Sequence, residues 1–180
     1  MDDWKETTLD QIADIVMGQS PKGETCNNNG EGFPLLNGPA DFGERHPIPT
    51  QFTVDPKKIA EPGDLLFCVR GSTTGRMNWA DQKYAIGRGI ASIRAKDGSE
   101  FQQYIRVVIE QKLKSLLAVA TGSTFPNVSR EHLSSFVVKS PPKTIKIYIT
   151  QVASVIDKKI ENLRKQNQTL EQIAQTLFKH

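Results

Sequence analysis

The chain has 180 residues, of which 37% are hydrophobic, and a formal net charge of +3. This length suits one globular domain with an appended element, and the small basic excess permits nucleic-acid binding without requiring it. Two widely separated cysteines and three histidines outside any metal-ligand spacing argue against a disulfide framework and a zinc site. No apolar run approaches membrane-spanning length, and the acidic start "MDDWKETTLD" is not that of a signal peptide, so we expect a cytoplasmic protein.

The first predicted element is a short helix. Thr8 and Gln11 have the spacing of a capping box, and Leu9 and Ile12 begin an apolar helical face behind it. Gly18 is expected to end this helix. The polar "KGETCNNNGEG" that follows predicts a mobile loop.

Short strands and irregular segments come next. The stretch "FPLLNG" predicts a strand and a turn, and residues 39–63, with five prolines, predict extended loop structure. The run "DLLFCVR" predicts a buried strand because Pro62-Gly63 and Gly71 bound it. The segments "MNWA" and "YAIGRGIASIRA" predict further strands, the second one interrupted by glycines.

The last third of the chain is mostly helical. Residues 100–120 have a helical apolar pattern, "REHLSS" predicts one turn, and "SFVVKS" predicts a last strand. Two prolines at 141–142 mark a boundary, and a terminal helix is expected over about residues 145–178. The fold class is therefore α+β, a globular body followed by one long C-terminal helix.

The terminal helix carries an apolar stripe suited to a coiled coil. Its every-seventh positions and their neighbours give the candidate dimerisation residues Ile149, Val152, Ile156, Ile160, Leu163, Asn167, Leu170, Ile173 and Leu177. About 30 helical residues extend for about 45 Å, which exceeds the diameter of so small a body. Part of the stripe should overhang, although a helix packed back on its own domain is the alternative.

Polar loops between the strands supply the candidate DNA contacts. Arginine reads guanine, asparagine pairs with adenine, and hydroxyls suit base or phosphate. The candidates are Lys22, Arg45, Arg70, Ser72, Thr73, Thr74, Arg76, Asn78, Lys83, Arg88, Ser123, Thr124, Asn127 and Arg130. The same residues are compatible with ordinary solvated loops, and Arg70 and Arg88 with pinning loop carbonyls. No phosphate-binding loop and no acid–base or nucleophile constellation is present, so no catalytic residue and no metal ligand is predicted.

The chain resembles the specificity subunits of type I restriction–modification systems over essentially its whole length. The resemblance rests on an ordered set of segments: "W…TLDQIADIVMGQSP", "PGDLLFCVRGSTTGR", "YAIGRGIASIRA", "ATGSTFPNVSREHLSSFVVKSPP" and "QVASVIDKKIENLRKQNQTLEQIAQTLF". The chain departs from the family pattern where "KTIKIYIT" intervenes between the paired prolines and Gln151.

The resemblance implies a non-catalytic subunit that reads double-stranded DNA. Such subunits have two target recognition domains separated by two antiparallel spacer helices. They recruit modification subunits, which methylate adenine with S-adenosylmethionine, and restriction subunits, which use ATP and Mg. No cofactor is expected in this chain. One domain and one helix make it a half-length form, with residues 1–142 as the recognition domain and residues 143–180 as the spacer and dimerisation helix.

A homodimer would restore the missing partner helix by symmetry. The resemblance favours an antiparallel pair centred near Leu163 and a split, palindromic DNA target. Asn167 in the stripe favours a parallel pair, because it would pair with itself. Two alternatives remain open: a truncated or phase-variable fragment that pairs with another specificity fragment, and a coiled-coil adaptor with no role on DNA.

Overall fold

The computed structural model describes residues 4–118 and 127–178. The strands in these ranges are β1 (Lys5–Thr8), β2 (Ala13–Met17), β3 (Cys26–Asn27), β4 (Phe33–Leu36), β5 (Gln51–Thr53), β6 (Ile59–Ala60), β7 (Leu65–Cys68), β8 (Met77–Trp79), β9 (Tyr84–Ile86), β10 (Ile90–Ala95) and β11 (Val137–Ser140). The α-helices are α1 (Leu9–Ile12), α2 (Gln102–Ala118), α3 (Arg130–Ser134) and α4 (Lys143–Leu177). The predicted α+β class with one long C-terminal helix is confirmed.

A four-stranded antiparallel sheet in the order β2-β10-β7-β8 forms the centre of the body. All four side chains of β7 are fully buried, because successive residues point to opposite faces and both faces are covered. Leu65 and Phe67 pack toward α2, whereas Leu66 and Cys68 pack toward a second sheet. This double burial explains why β7 appears in the sequence as an unbroken apolar run.

The second sheet has five short strands in the order β3-β5-β4-β9-β6. Its central pair, β4 and β9, is parallel, and the other pairs are antiparallel. Leu36 and Ile86 from this pair join the core under β7. The segments predicted as loops thus contain the short strands β3, β5 and β6, which pairing with neighbouring strands stabilises. Strands β1 and β11 form a separate two-stranded ribbon beside α1.

The predicted helix before Gly18 is wrong beyond Ile12. Residues 13–17 form β2 and pair with β10, and the Thr8 hydroxyl donates to the Asp10 carboxylate instead of capping the helix backbone. In the segment "ADIVM", Ala13 and Ile15 are buried and Asp14 between them is exposed, so tertiary pairing overrides the local helical pattern. A Cβ on Gly18 would lie 2.1 Å from the Gly87 carbonyl oxygen, which explains why glycine follows β2.

Helix α4 begins at Lys143, directly after Pro142 and two residues before the predicted start. Its first turns lie beside α2, and Ile149 packs against the core of the body. The 35 residues of α4 extend for about 52 Å. No helix within the described ranges is both long and apolar enough to cross a membrane.

Candidate nucleic-acid interface

Backbone hydrogen bonds hold four loops together at one end of the four-stranded sheet. The Gly18 amide donates to the Ile90 carbonyl at 2.9 Å, and the Val69 amide donates to the Gly89 carbonyl at 3.0 Å. The Val128 amide in turn donates to the Val69 carbonyl at 2.9 Å. These bonds fix the loops through backbone groups alone. We call this region the loop end, comprising residues 18–22, 70–75, 87–89 and 127–130.

Two arginines predicted to bind DNA are exposed at the loop end. Arg70 forms an isolated backbone bridge with Asn127, another predicted contact. Arg88 lies across from Ser20, whose hydroxyl oxygen is 3.4 Å from both the backbone nitrogen and Nε of Arg88. Neither guanidinium forms an ion pair with any carboxylate in the described part of the chain. Their positive charges are therefore available to an anionic ligand.

The turn between β7 and β8 adds hydroxyl groups beside these arginines. Ser72 and Thr73 are exposed at its tip. Thr74 is half-buried, and its hydroxyl donates to the Gly71 carbonyl at 2.7 Å. Gly71 has a φ of 94°, a conformation that side chains disfavour. Of the three predicted hydroxyl contacts, Ser72 and Thr73 face solvent, whereas Thr74 helps to close the turn.

Arg76 and Asn78 have structural contacts that the sequence did not reveal. The Arg76 guanidinium donates to the carbonyls of Pro39, Phe42 and Gly43, at 2.9 to 3.3 Å. Asn78 is only 3% exposed and donates to the Gly43 carbonyl at 2.9 Å. Asn78 is therefore left out of the interface proposed below, because its amide is buried and already bonded within the body. Arg76 holds the segment before β5 and is not included in the interface proposed below.

The remaining predicted cations lie at separate places. Lys83 precedes β9 at the end opposite Arg88 and is 3.3 Å from Glu61. Arg45 contacts Glu161 of α4 at 3.5 Å. Both are therefore left out of the proposed interface.

Lys22 and Arg130 lie within the loop end. Lys22 is exposed beside Glu24, at 3.7 Å, and Arg130 is exposed at the first position of α3. Ser123 and Thr124 lie outside the described residues.

The apolar stripe of α4 is exposed along most of its length. Ile156 is 52% exposed, Leu163 45% and Leu170 63%. The other exposed members of the predicted dimerisation set are Val152, Ile160, Asn167, Ile173 and Leu177. Ile149 is the exception, because it is partly buried against the body's own core. In the described part of the chain, Ile160 and Asn167 line a cleft between α4 and the body, and the other stripe residues after Ile149 are exposed to solvent.

Residues 1–172 of the chain match the protein family described as "Type I restriction modification DNA specificity domain". The chain belongs to this specificity family. The resemblance identified from the sequence is thereby confirmed.

Relatives agree with this membership. The chain is 33% identical over 175 residues to the putative type I restriction enzyme MjaX specificity subunit of Methanocaldococcus jannaschii, covering 94% of this chain and 40% of that protein. It is 27% identical over 130 residues to the type I restriction enzyme HindI specificity subunit of Haemophilus influenzae, covering 68% of this chain and 28% of that protein.

Two solved structures at 30% identity or more have the same fold. A chain from a study of assembly and conformational transition of the type I R-M system superimposes with a TM-score of 0.74 at 32% identity, over 94% of this chain and 42% of that one. The HsdS subunit from Thermoanaerobacter tengcongensis gives a TM-score of 0.71 at 30% identity, over 92% and 40%. The chain thus spans between 28% and 42% of the length of these relatives.

This specificity-family chain also contains a buried ionic network that the sequence did not reveal. Asp64 is 1% exposed and accepts hydrogen bonds from Ser92 at 2.5 Å and from Arg94 at 2.6 and 2.8 Å. The Glu61 amide donates to the same carboxylate at 2.9 Å. The hydrogen bonds from Arg94 to Asp64 raise the pKa of Arg94 above its ordinary value. This network joins β7 to β10 at the end of the sheet opposite the loop end.

Proposed function

We propose that this chain is the DNA-recognition part of a type I restriction–modification specificity subunit and that its loop end contacts the DNA. The observation that carries this proposal is the pair of exposed arginines, Arg70 and Arg88, which lack ion-pair partners in the described chain and lie on one end of a rigid sheet. Family membership supports it. Counterion release from phosphates would supply most of the affinity.

The side chains of the loop end divide between positioning and reading. Arg70 and Arg88 suit guanine or phosphate, since a guanidinium donates two parallel hydrogen bonds to either. Asn127 suits adenine, and the Ser72 and Thr73 hydroxyls suit base edges or phosphates. Lys22 and Arg130, at the rim, would contact phosphates and fix the orientation of the body on the duplex.

The chain itself would carry out no chemistry in this proposal. Modification subunits, which supply S-adenosylmethionine, would methylate adenine within the target, and a restriction subunit would use ATP and Mg. Within the described ranges, no group of three or more His, Cys, Asp and Glu side chains is arranged to hold a metal ion. The contribution of this chain is to select where its partners act.

Two copies would pair through α4, with residues 1–142 as the recognition domain and residues 143–180 as the spacer. The exposed stripe supports this pairing, because exposed Leu and Ile side chains each gain about 1.5–3 kcal/mol on burial. An antiparallel pair centred on Leu163 places Ile156 opposite Leu170. The symmetric dimer would then read a split, palindromic sequence.

The length of α4 fits this arrangement. Its 35 residues extend for about 52 Å, and half-sites one DNA turn apart are separated by roughly 34–36 Å. An antiparallel pair places the two bodies at opposite ends, so that each reaches one half-site. Asn167 stays exposed on α4, and an exposed amide costs little in this orientation because water satisfies its hydrogen bonds.

Mapping methylated adenines tests the recognition role. The chain is co-expressed with its modification subunit in a host that lacks other adenine methylation, and methylated positions are sequenced. We expect one palindromic motif with an unspecified gap. An asymmetric or ungapped motif would contradict the homodimer, and an absence of sequence-selective methylation would contradict the recognition role.

Sedimentation tests the dimer. Leu163→Asp combined with Leu170→Asp should weaken dimerisation by at least about 1000-fold, because each charge replaces a buried leucine in both copies. Lys158→Asp combined with Gln172→Asp changes the outer face of the same helix and should leave the dimer intact. A dimer that persists in the leucine variant would refute pairing through this stripe.

A second specificity fragment is the other candidate partner. The coverage of about 40% of the relatives' length favours any partner that supplies the missing part, whether identical or not. Co-expression of the tagged chain with a different specificity fragment, followed by co-purification, separates the two cases. Exclusive capture of the other fragment would replace the homodimer with a heterodimer.

A further inference from the structure

Polar contacts join α4 to the body along one helical face. Their positions follow the spacing of residues on one side of a helix. The pairs are Lys146 with Asp97 at 2.9 Å, Asp157 with Arg106 at 2.6 Å, Glu161 with Arg45 at 3.5 Å and Arg164 with Glu44 at 3.9 Å. The charged face thus points to the body, together with Ile149 and Ile160 at the edge of the apolar stripe, while the rest of the stripe points elsewhere.

Asp157 forms the tightest and most buried of these contacts. Its side chain is 12% exposed, and its Oδ2 accepts hydrogen bonds from Arg106 at 2.6 Å and from Gln103 at 3.0 Å. Arg106 is held in turn by Glu110, whose Oε1 accepts from Nε at 2.8 Å. One carboxylate of α4 is therefore bound by neighbouring turns of α2. We call this contact of Asp157 with Arg106 and Gln103 the clasp. Partial burial strengthens such charge-assisted bonds.

The clasp is anchored in the rigid part of the body. Ile105 and Ile109, on the opposite face of α2, are buried in the core against the four-stranded sheet. The same sheet carries the loop end on β2, β7 and β10. Asp157 therefore ties the direction of α4 to the framework that positions the DNA-reading loops.

Beyond Asp157 the helix separates from the body. A cleft of about 870 Å³ opens between them, and Trp79 and Met77 line its body side. The two ion pairs that cross this region, from Glu161 and Arg164, are longer and more exposed than the clasp. Asp157 is thus the last tight contact before about 20 residues of helix, which extend for about 30 Å.

A lever of this length amplifies small changes in angle. A tilt of about 6° at Asp157 would move the far end of α4 by about 3 Å, close to the spacing of one base pair along DNA. We infer that Asp157, held by Arg106 and Gln103, is a positioning residue that sets the gap between the two half-sites. This inference rests on the proposed function, in which α4 is the spacer between two recognition bodies.

Gap preference is the functional test. After the wild-type motif is mapped, DNA substrates with the same half-sites and a gap shortened or lengthened by one base pair are methylated by the full complex. We expect the wild type to favour its own gap by at least about tenfold. Asp157→Ala should reduce that preference to about threefold or less. Its methylation at the native gap should fall by a smaller factor than the gap preference does. Glu171→Ala, another acidic residue of α4 and one that forms no ion pair in the described chain, is the control.

A distance measurement tests the clasp without DNA. Spin labels on Cys26, which is half-buried whereas Cys68 is buried, and on Gln175→Cys near the end of α4 report the angle between body and helix. The labelled chain is diluted into unlabelled chain. We expect one narrow distance distribution in the wild type and a broader or shifted one in Asp157→Ala. Circular dichroism confirms that each variant is folded.

The outcomes separate the two levels of the proposal. An unchanged gap preference and an unchanged distance distribution in Asp157→Ala would overturn the inference and leave the proposed function standing. An absence of any split target for the wild-type chain would overturn the proposed function and, with it, the role of Asp157 in setting a gap.

Discussion

Arginines at the two ends of the four-stranded sheet lie in opposite environments. At one end, Arg94 is bound twice by the buried carboxylate of Asp64. At the loop end, Arg70 and Arg88 are exposed and have no carboxylate partner in the described chain. Both ends belong to the same strands, β7 and β10 or their immediate continuations. The difference therefore lies in what faces each side chain.

This contrast separates arginines that stabilise the fold from arginines that are free to bind. If a guanidinium held by a buried carboxylate is removed, the carboxylate is left in the core as an unpaired charge. An exposed, unpaired guanidinium costs the folded state little, because water solvates it. Substitutions at the two ends should therefore change different quantities, namely the free energy of unfolding at one end and DNA affinity at the other.

Asp64→Ala should have the largest effect. The free energy of unfolding should fall by about 3 kcal/mol, because Ser92, Arg94 and the Glu61 amide lose a shared buried acceptor. Urea denaturation measures the change. Asp14→Ala is the matched control, since Asp14 is exposed and its contact with Lys96 is long, at 3.7 Å. This substitution should cost less than about 0.5 kcal/mol. Equal effects of the two substitutions would break the comparison.

Arg70→Ala combined with Arg88→Ala should weaken DNA binding by at least about tenfold without destabilising the fold. If each arginine contacts one phosphate, the slope of log affinity against log salt should fall by about 1.8. Fluorescence anisotropy with duplex DNA, on the isolated chain or its complex, measures both. Lys83→Ala removes an exposed cation from the other end of β9 and should change neither. An unchanged slope in the double variant would remove these arginines from the phosphate contacts.

Arg76→Ala should act on the fold and not on DNA binding, with a smaller effect on stability than Asp64→Ala. Its guanidinium donates to the carbonyls of Pro39, Phe42 and Gly43, so its loss should cost about 1–2 kcal/mol of unfolding free energy. Urea denaturation is again the measurement. If stability is unchanged and DNA affinity falls as much as in the double variant, Arg76 contacts DNA and this assignment is wrong.

Elements with strong local signals were predictable from the sequence. The apolar run of β7 is bounded by Pro62-Gly63 and Gly71, and the stripe of α4 recurs every seven residues. Residues 13–17 were not predictable in the same way. The Thr8–Gln11 pattern resembles a capping box, and Ile12, Ile15 and Val16 fit a helical face as well as a strand. Pairing with β10, 74 to 82 residues away (Met17 with Ala91, Ala13 with Ala95), decides between them.

The candidate site was predictable only as a set of loops. Arg70 and Arg76 lie in the same turn and are indistinguishable locally, yet only Arg76 meets carbonyls from a segment 33 to 37 residues earlier. Asp64 likewise meets Arg94 across 30 residues. Such contacts depend on tertiary packing, which residue type and spacing do not encode by themselves.

The most direct test of the account is the methylation motif of the loop-end variant. The chain carrying Arg70→Ala and Arg88→Ala is co-expressed with its modification subunit, and its methylated adenines are sequenced beside those of the wild type. If the loop end reads DNA, the variant keeps the gap between half-sites but loses base preference at one or more positions in each half. An identical motif, with every base still specified, would contradict the central claim.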